Sequence, residues 1–142
     1  MKVFFDTNVL IDALTSRDYD YKNQKQLLRY VASGVVDGYI SAKQITDIYY
    51  ILRKYVPLEN EKRRVIRILL ENFETLPCLK SICEYCLSTN FDDYEDAIIA
   101  ETAKIFKIDY LVTNNVMDFK NSQLTIVSPK ELVTILDACS QQ

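Results

Sequence analysis

Four aspartates, Asp6, Asp47, Asp96 and Asp118, stand where the surrounding pattern aims them at one place rather than at solvent. Asp6 closes the apolar run Val3-Phe4-Phe5, and a helix N-cap is its ordinary reading. Asp47 lies in the second turn of a helix opening at Ser41, beside Tyr50 and Ile51 on its own face, where aspartate is a poor mid-helix residue. Its plain alternative is a boundary side chain reaching water. Asp96 shares a helix face with Ile99, Ala100 and Ala103 and so points toward the protein; a simple cap would sit earlier, at Asp92 or Asp93. Asp118 follows Thr113 by five residues, where a turn aspartate is the default. If the carboxylates converge, two of them about 4 Å apart repel by roughly 4 kcal/mol at an effective dielectric near 20. Either some keep their protons or a divalent cation neutralises them. An oxygen-only donor set suits Mg²⁺ or Mn²⁺ rather than zinc. Such sites leave coordinated water free for a phosphate substrate, and the matching chemistry is hydrolysis of a phosphodiester by metal-activated water.

The rest of the composition narrows the chemistry further. The chain has no histidine, which removes Ser-His-Asp and Cys-His mechanisms and histidine acid–base work. Its only two glycines, Gly34 and Gly38, exclude glycine-rich phosphate loops, so no nucleotide cofactor is expected. The formal charge of −3 offers no global pull on nucleic acid; any such binding needs a local basic patch. Arg53, Lys54, Lys62, Arg63, Arg64 and Arg67 are the obvious basic group, although most such runs are solvated helix faces. Ten tyrosines offer stacking surfaces or, more commonly, core and boundary packing. Cys83 and Cys86 have redox or zinc spacing, but they fall in a helical pattern without histidine partners, and core packing is the expectation. The apolar start is too short for a signal-peptide core and no stretch reaches membrane-spanning length, so a cytoplasmic protein without membrane partners is expected. At 142 residues, a single domain over 1–142 is expected.

The elements that must carry these residues can be read from periodicity. Residues 2–5 read as a buried strand, after which Val9, Leu10, Ala13 and Leu14 recur at helical spacing, so Asp6 falls at the join. A polar segment through Tyr21 leads into a helix over about residues 23–33, ended by Gly34. Tyr39 and Ile40 suggest a second strand. Ser41 and Gln44 have capping-box form, followed by Ile45, Ile48, Tyr49 and Leu52 on one face. After Pro57, an apolar stripe of Val65, Ile66, Leu69, Leu70 and Phe73 lies opposite the basic residues. Helices follow over about 79–88 and from Asp93 to about Phe106, with Asp92 or Asp93 as the latter's cap. Residues 110–113 and 124–127 are of strand length and character, and Ser128, Pro129 and Glu131 open a final helix. Strands separated by helices predict an α/β fold: a central parallel β-sheet flanked by α-helices on both faces. Functional groups in such sheets collect beyond the carboxyl ends of the strands, the edge that receives Asp6 and residues 113–118.

The segment Phe5 to Leu10, reading Phe-Asp-Thr-Asn-Val-Leu, resembles the opening signature of the PIN-domain nucleases. Residues 45–50, 94–98 and 112–119 resemble that family's later motifs, in order and at fitting spacing, over nearly the whole chain. The likeness is to the VapC-like bacterial toxin ribonuclease branch. It implies a PIN-like fold and an endoribonuclease site dependent on Mg²⁺ or Mn²⁺, with Asp6, Asp96 and Asp118 at the family's acidic positions. Asp47 falls at the second acidic position, which is glutamate in many members; the shorter side chain puts its direct contact with metal in question. Thr7, Asn8, Thr113 and Asn115 match positions supporting the acidic cluster or the substrate phosphate. Asp93 and Glu95 are further supporting candidates, against helix-start charge compensation as the plainer reading. The resemblance also implies an RNA substrate, a small antitoxin partner and a homodimer.

Two readings from other classes compete. A Mg²⁺-dependent phosphatase with Asp6 as nucleophile would explain an aspartate after the first strand, but Asn8 stands where a second aspartate is expected and no lysine clearly completes such a site. A catalytically silent partner-binding module would be signalled by loss of an acidic position, and none is lost.

Overall fold

The computed structural model describes residues 1–17 and 21–142. The end of the polar segment before Tyr21, residues 18–20, lies outside the described residues. Five strands, β1 (Lys2–Phe5), β2 (Asp37–Ser41), β3 (Glu74–Leu76), β4 (Tyr110–Val112) and β5 (Thr125–Val127), form one sheet in the order β3-β2-β1-β4-β5. Every pairing is parallel. The helices are α1 (Thr7–Thr15), α2 (Tyr21–Ala32), α3 (Ala42–Leu52), α4 (Glu59–Asn72), α5 (Lys80–Cys86), α6 (Tyr94–Ile105) and α7 (Pro129–Ser140), with a 3-10 helix at Val116–Phe119. The expected α/β architecture with a parallel sheet is the one observed.

β1 is central, and Val3, Phe4 and Phe5 are all buried, as a strand covered on both faces requires. Val3 and Phe5 join Ile40, Val112 and Val127 in a core against helices that include α1, α2, α3 and α7. Phe4 faces the other way, into a cluster with Leu111 and with Ile99, Ala100 and Ala103 of α6. Gly38 permits a close approach on the first side: a Cβ there would come within 2.8 Å of the Phe73 ring and 2.9 Å of Val31. Gly34 follows α2 with φ +76, a left-handed conformation that stops the helix.

The chain order decides where a site can form. From β1 the chain moves outward through β2 and β3, then returns to the opposite side of β1 for β4 and β5. Neighbouring β1 and β4 therefore send their following segments in opposite directions and open a crevice beyond their carboxyl ends. Phe5 is in register with Val112, and the Asp6 amide donates to the Val112 carbonyl at 3.0 Å, so Asp6 and Thr113 emerge side by side.

Two elements differ from sequence expectation. Phe73 belongs to the α4 stripe by spacing, yet α4 ends at Asn72 and Phe73 is already extended, with φ −114 and ψ 140. It leads into β3, an edge strand of which only Leu76 is buried, too little apolar content to register as a strand. The segment carrying Asp118 is a 3-10 helix rather than an open turn. Among the described residues, no helix is long and apolar enough to cross a membrane.

Candidate active site

α1, α3 and α6 begin around the carboxyl edge of the sheet, and the positive ends of their helix dipoles make it a favourable place for anions. Asp6 is the N-cap of α1: its Oδ1 accepts from the Thr7 amide at 2.8 Å, and its Oδ2 accepts from the Thr113 hydroxyl at 2.8 Å. The Thr113 hydroxyl oxygen in turn accepts from the Asn115 amide at 3.1 Å. The cap reading and the cluster reading of Asp6 thus describe the same carboxylate, spanning the β1 and β4 exits.

Asp6, Asp47, Asp96 and Asp118 all line one open cleft of about 480 Å³ at this edge. Thr7, Asn8, Thr113, Asn115 and Asp93 line it as well, as do Glu95, Asn114, Tyr50 and Ile51. Every acidic, threonine and asparagine site candidate from the sequence therefore lines the same cleft. Their local duties differ. Asp93 is the N-cap of α6, accepting from the Asp96 amide at 3.1 Å, which bears out the helix-start reading while leaving Asp93 at the cleft wall. Asn8 Oδ1 is held by Arg17 at 2.9 Å.

Charge is crowded here. Burial is the main influence raising the Asp6 pKa; hydrogen bonds from the Thr113 hydroxyl and the Thr7 amide oppose it, and Glu95 and Asp118 reinforce it. Asp96 is pushed up to about 7, first by burial and then by repulsion from Asp93, Asp6, Asp118 and Glu95. These carboxylates are near enough to hinder one another's ionisation, which is the condition a divalent cation relieves. Asp47 has a cation beside it: Lys43 Nζ lies 2.9 Å from its Oδ2 and 2.8 Å from Glu95 Oε1. Burial works against the Lys43 ammonium, but its hydrogen bonds to Glu95 and Asp47 outweigh that and keep its pKa raised.

Four further residues, Gln44, Asp12, Asn114 and Lys43, support the site. Gln44, read only as a capping residue, is fully buried; its Nε2 donates to the Phe5 carbonyl at 2.8 Å and to Thr7 Oγ1 at 3.1 Å, fixing the start of α1. Asp12, buried within α1, accepts from Arg17 Nε at 2.7 Å and from Asn114 Nδ2 at 2.5 Å. Asn114 and Lys43 complete the set. An aspartate between Ile11 and Ala13 in an apolar helix could have been found by the same test that singled out Asp47. Lys43 stands four residues before Asp47, the spacing of a helical ion pair.

The basic group of α4 is engaged locally: Lys62 and Arg63 pair with Glu59, and Arg64 with Glu61. No α4 residue lines the cleft among the described residues. Arg53 is placed differently, stacked 5.2 Å over the ring of exposed Tyr50 at the rim. Of the cysteines, Cys86 packs in a small core with Ile82, Ala97 and Ile98, as expected. Cys83 only partly shares that core, and its sulfur lies 3.7 Å from that of Cys78.

The donor set fits a hard divalent cation, being carboxylate oxygen supplemented by asparagine and threonine. As the side chains stand, no three acidic or thiol groups among the described residues already meet around one point.

Comparison with known proteins agrees with this fold. Residues 2–117 match the family model of the PIN domain. Ribonuclease VapC1 of Aquifex aeolicus (strain VF5) is 26% identical over 137 residues, covering 92% of each chain. Among solved structures, a toxin-antitoxin complex from Klebsiella pneumoniae has a chain 27% identical, with a TM-score of 0.67 over 89% of this chain and 97% of that one. VapBC2 from Rickettsia felis, bound to a DNA fragment from its promoter, shares the fold at 20% identity and a TM-score of 0.65, over 90% of this chain and 98% of that one. With five parallel strands in this order and a family match spanning most of its length, the chain belongs to the PIN-domain family.

Proposed function

We propose that the protein is a metal-dependent endoribonuclease, acting as a single domain, that hydrolyses RNA phosphodiester bonds in the cleft lined by Asp6, Asp47, Asp96 and Asp118. The observation that carries this reading is the convergence of four carboxylates from four separate segments on one cleft. Asp6, Asp96 and Asp118 would hold Mg²⁺ or Mn²⁺, with Asp47 nearby. The ion, when bound, supplies an activated water and stabilises the charge that develops on phosphate and leaving oxygen.

The protein's own groups prepare that chemistry. Thr7 and Thr113 fix both oxygens of Asp6 and so orient it. The α1 N-terminus, with Thr7 and Asn8, favours an incoming phosphate. Asn115, whose amide donates to the Thr113 hydroxyl, also lines the cleft and would contact the same phosphate. Tyr50, backed by Arg53, offers a stacking face and a positive charge for an unpaired base at the rim. The nucleophilic-aspartate alternative is disfavoured by Asn8, which stands where a second aspartate is expected.

The likeness to a chain of a toxin–antitoxin complex supports an antitoxin as partner; a homodimeric, cytoplasmic toxin is the working form proposed with it. Purified protein is expected to cleave single-stranded RNA with Mn²⁺ or Mg²⁺ and to stop in EDTA. Asp6→Asn should abolish cleavage while leaving the circular dichroism spectrum unchanged. Undiminished cleavage in EDTA, or a phospho-aspartate trapped at Asp6, would overturn the reading.

A further inference from the structure

Lys43 does not line the acidic cleft but brings a positive charge to two carboxylates that do. Its ammonium reaches two carboxylates on different helices, Asp47 of α3 at 2.9 Å and Glu95 of α6 at 2.8 Å. The Lys43 side chain is 27% exposed, less than Asp47 at 42% and Glu95 at 54%. A lysine at a protein surface ordinarily lays its stem on the protein and holds its head group in water. Here the head group is drawn between the two acids instead. Each partner is satisfied across a helix–helix gap, the task a bridging cation performs in a site made of carboxylates.

The other acidic residues of the cleft are different. Among the described residues, Asp6, Asp96 and Asp118 form no ion pair, whereas Asp47 is matched by Lys43. A divalent ion arriving at Asp47 would have to sit beside an ammonium already in hydrogen-bond contact with the same carboxylate. Like charges at that separation repel strongly where water is partly excluded. An ion arriving among Asp6, Asp96 and Asp118 meets no such obstacle.

We propose that Lys43 is a built-in counter-cation of the cleft: by holding Asp47 against Glu95 it takes the place of a second divalent ion and restricts the site to one, bound by Asp6, Asp96 and Asp118. The inference rests on the metal-dependent reading above. It makes Lys43 a positioning residue, which fixes Asp47 toward α6 and limits metal stoichiometry.

The test is calorimetric titration of the purified chain with Mn²⁺ alone, without RNA. Wild type and Lys43→Arg should each take up one ion per chain. Lys43→Met, which keeps the stem and removes the charge, should take up a second ion, and adding Asp47→Asn to it should return the count to one. Amide exchange gives a readout independent of metal loading. In metal-free Lys43→Met the first turn of α6 should exchange several-fold faster than in wild type, and Mn²⁺ should restore protection.

Equal stoichiometry in wild type and Lys43→Met would overturn the inference while leaving the metal-dependent reading intact. Two ions bound to wild type, the second lost with Asp47→Asn, would overturn it in the same way. Failure of either protein to bind Mn²⁺ would bring down the metal reading and this inference with it.

Discussion

Two acidic centres lie within two turns of each other on α1, and they handle negative charge in opposite ways. Asp12 is almost wholly buried, yet it has an arginine on one oxygen and the Asn114 amide on the other. Burial works against the Arg17 charge, but hydrogen bonding and attraction from Asp12, with help from Tyr55, leave its pKa raised. Asp6, six residues earlier, receives two neutral hydrogen-bond donors and faces further carboxylates, and its pKa is raised chiefly by burial. A buried charge supplied with a matched cation holds structure together, whereas one left without a cation is held ready to bind one. The two centres are joined: Arg17 also holds Asn8, and Asn114 follows Thr113 into the cleft. The matched centre braces the walls of the unmatched one.

Neutralising a cleft carboxylate should affect chemistry and spare the fold. Asp96→Asn is expected to lower RNA cleavage at least about a thousandfold, a loss near 4 kcal/mol of transition-state stabilisation. Its urea midpoint at neutral pH should equal or exceed that of wild type, because a repelled charge has been removed. Asp12→Ala should do the reverse. It strands Arg17 and Asn114 and should cost about 2–3 kcal/mol of stability, below the range for a fully buried pair because Arg17 is 29% exposed. Any residual activity at a temperature where the variant is folded should fall by a smaller factor, through displaced Asn8 and Asn114. If Asp12→Ala proves as stable as wild type, the contrast between the centres fails.

The contrast also explains what the sequence could and could not disclose. Asp96 was legible because an aspartate on the face of Ile99, Ala100 and Ala103 contradicts the pattern around it, and that face is indeed buried. The α/β class was legible for a related reason: strands buried on both faces, such as Val3 to Phe5, are apolar throughout. β3 was not, since an edge strand with one buried side chain carries almost no periodic signal. Asp12, Gln44 and Lys43 were legible only in part, because each also depends on a partner remote in sequence: Asn114 for Asp12, Phe5 for Gln44 and Glu95 for Lys43. Only the sheet order brings those partners together. The spacing that makes the α4 basic residues conspicuous is the spacing that lets Glu59 and Glu61 neutralise them on their own helix.

Metal should act on the unmatched centre alone. At ten times its dissociation constant, Mn²⁺ is expected to stabilise wild type by about 1.4 kcal/mol, an increase in melting temperature that EDTA reverses. Asp96→Asn should show little of it and Asp12→Ala should keep it.

The smallest effect expected is the pH dependence of the metal-free protein, and its sign is diagnostic. The Asp96 carboxyl has an ordinary value of 3.8 and is raised to about 7 in the folded chain. Between those values the folded state binds a proton that the unfolded state has released, so stability falls as pH rises across that window and levels off above it. Asp6, also raised, acts in the same direction. Because Asp96 is only half-buried, solvent screening reduces the effect to about 1 kcal/mol. Urea unfolding of metal-free wild type should therefore show a decline from pH 5 to pH 7.5 that is flattened in Asp96→Asn. Saturating Mn²⁺ should oppose it, since the ion binds the ionised carboxylates and stabilises most where the metal-free protein is weakest. A decline undiminished in both Asp96→Asn and Asp6→Asn would place the titrating group outside the cleft and remove the distinction drawn between the cleft and the Asp12 centre.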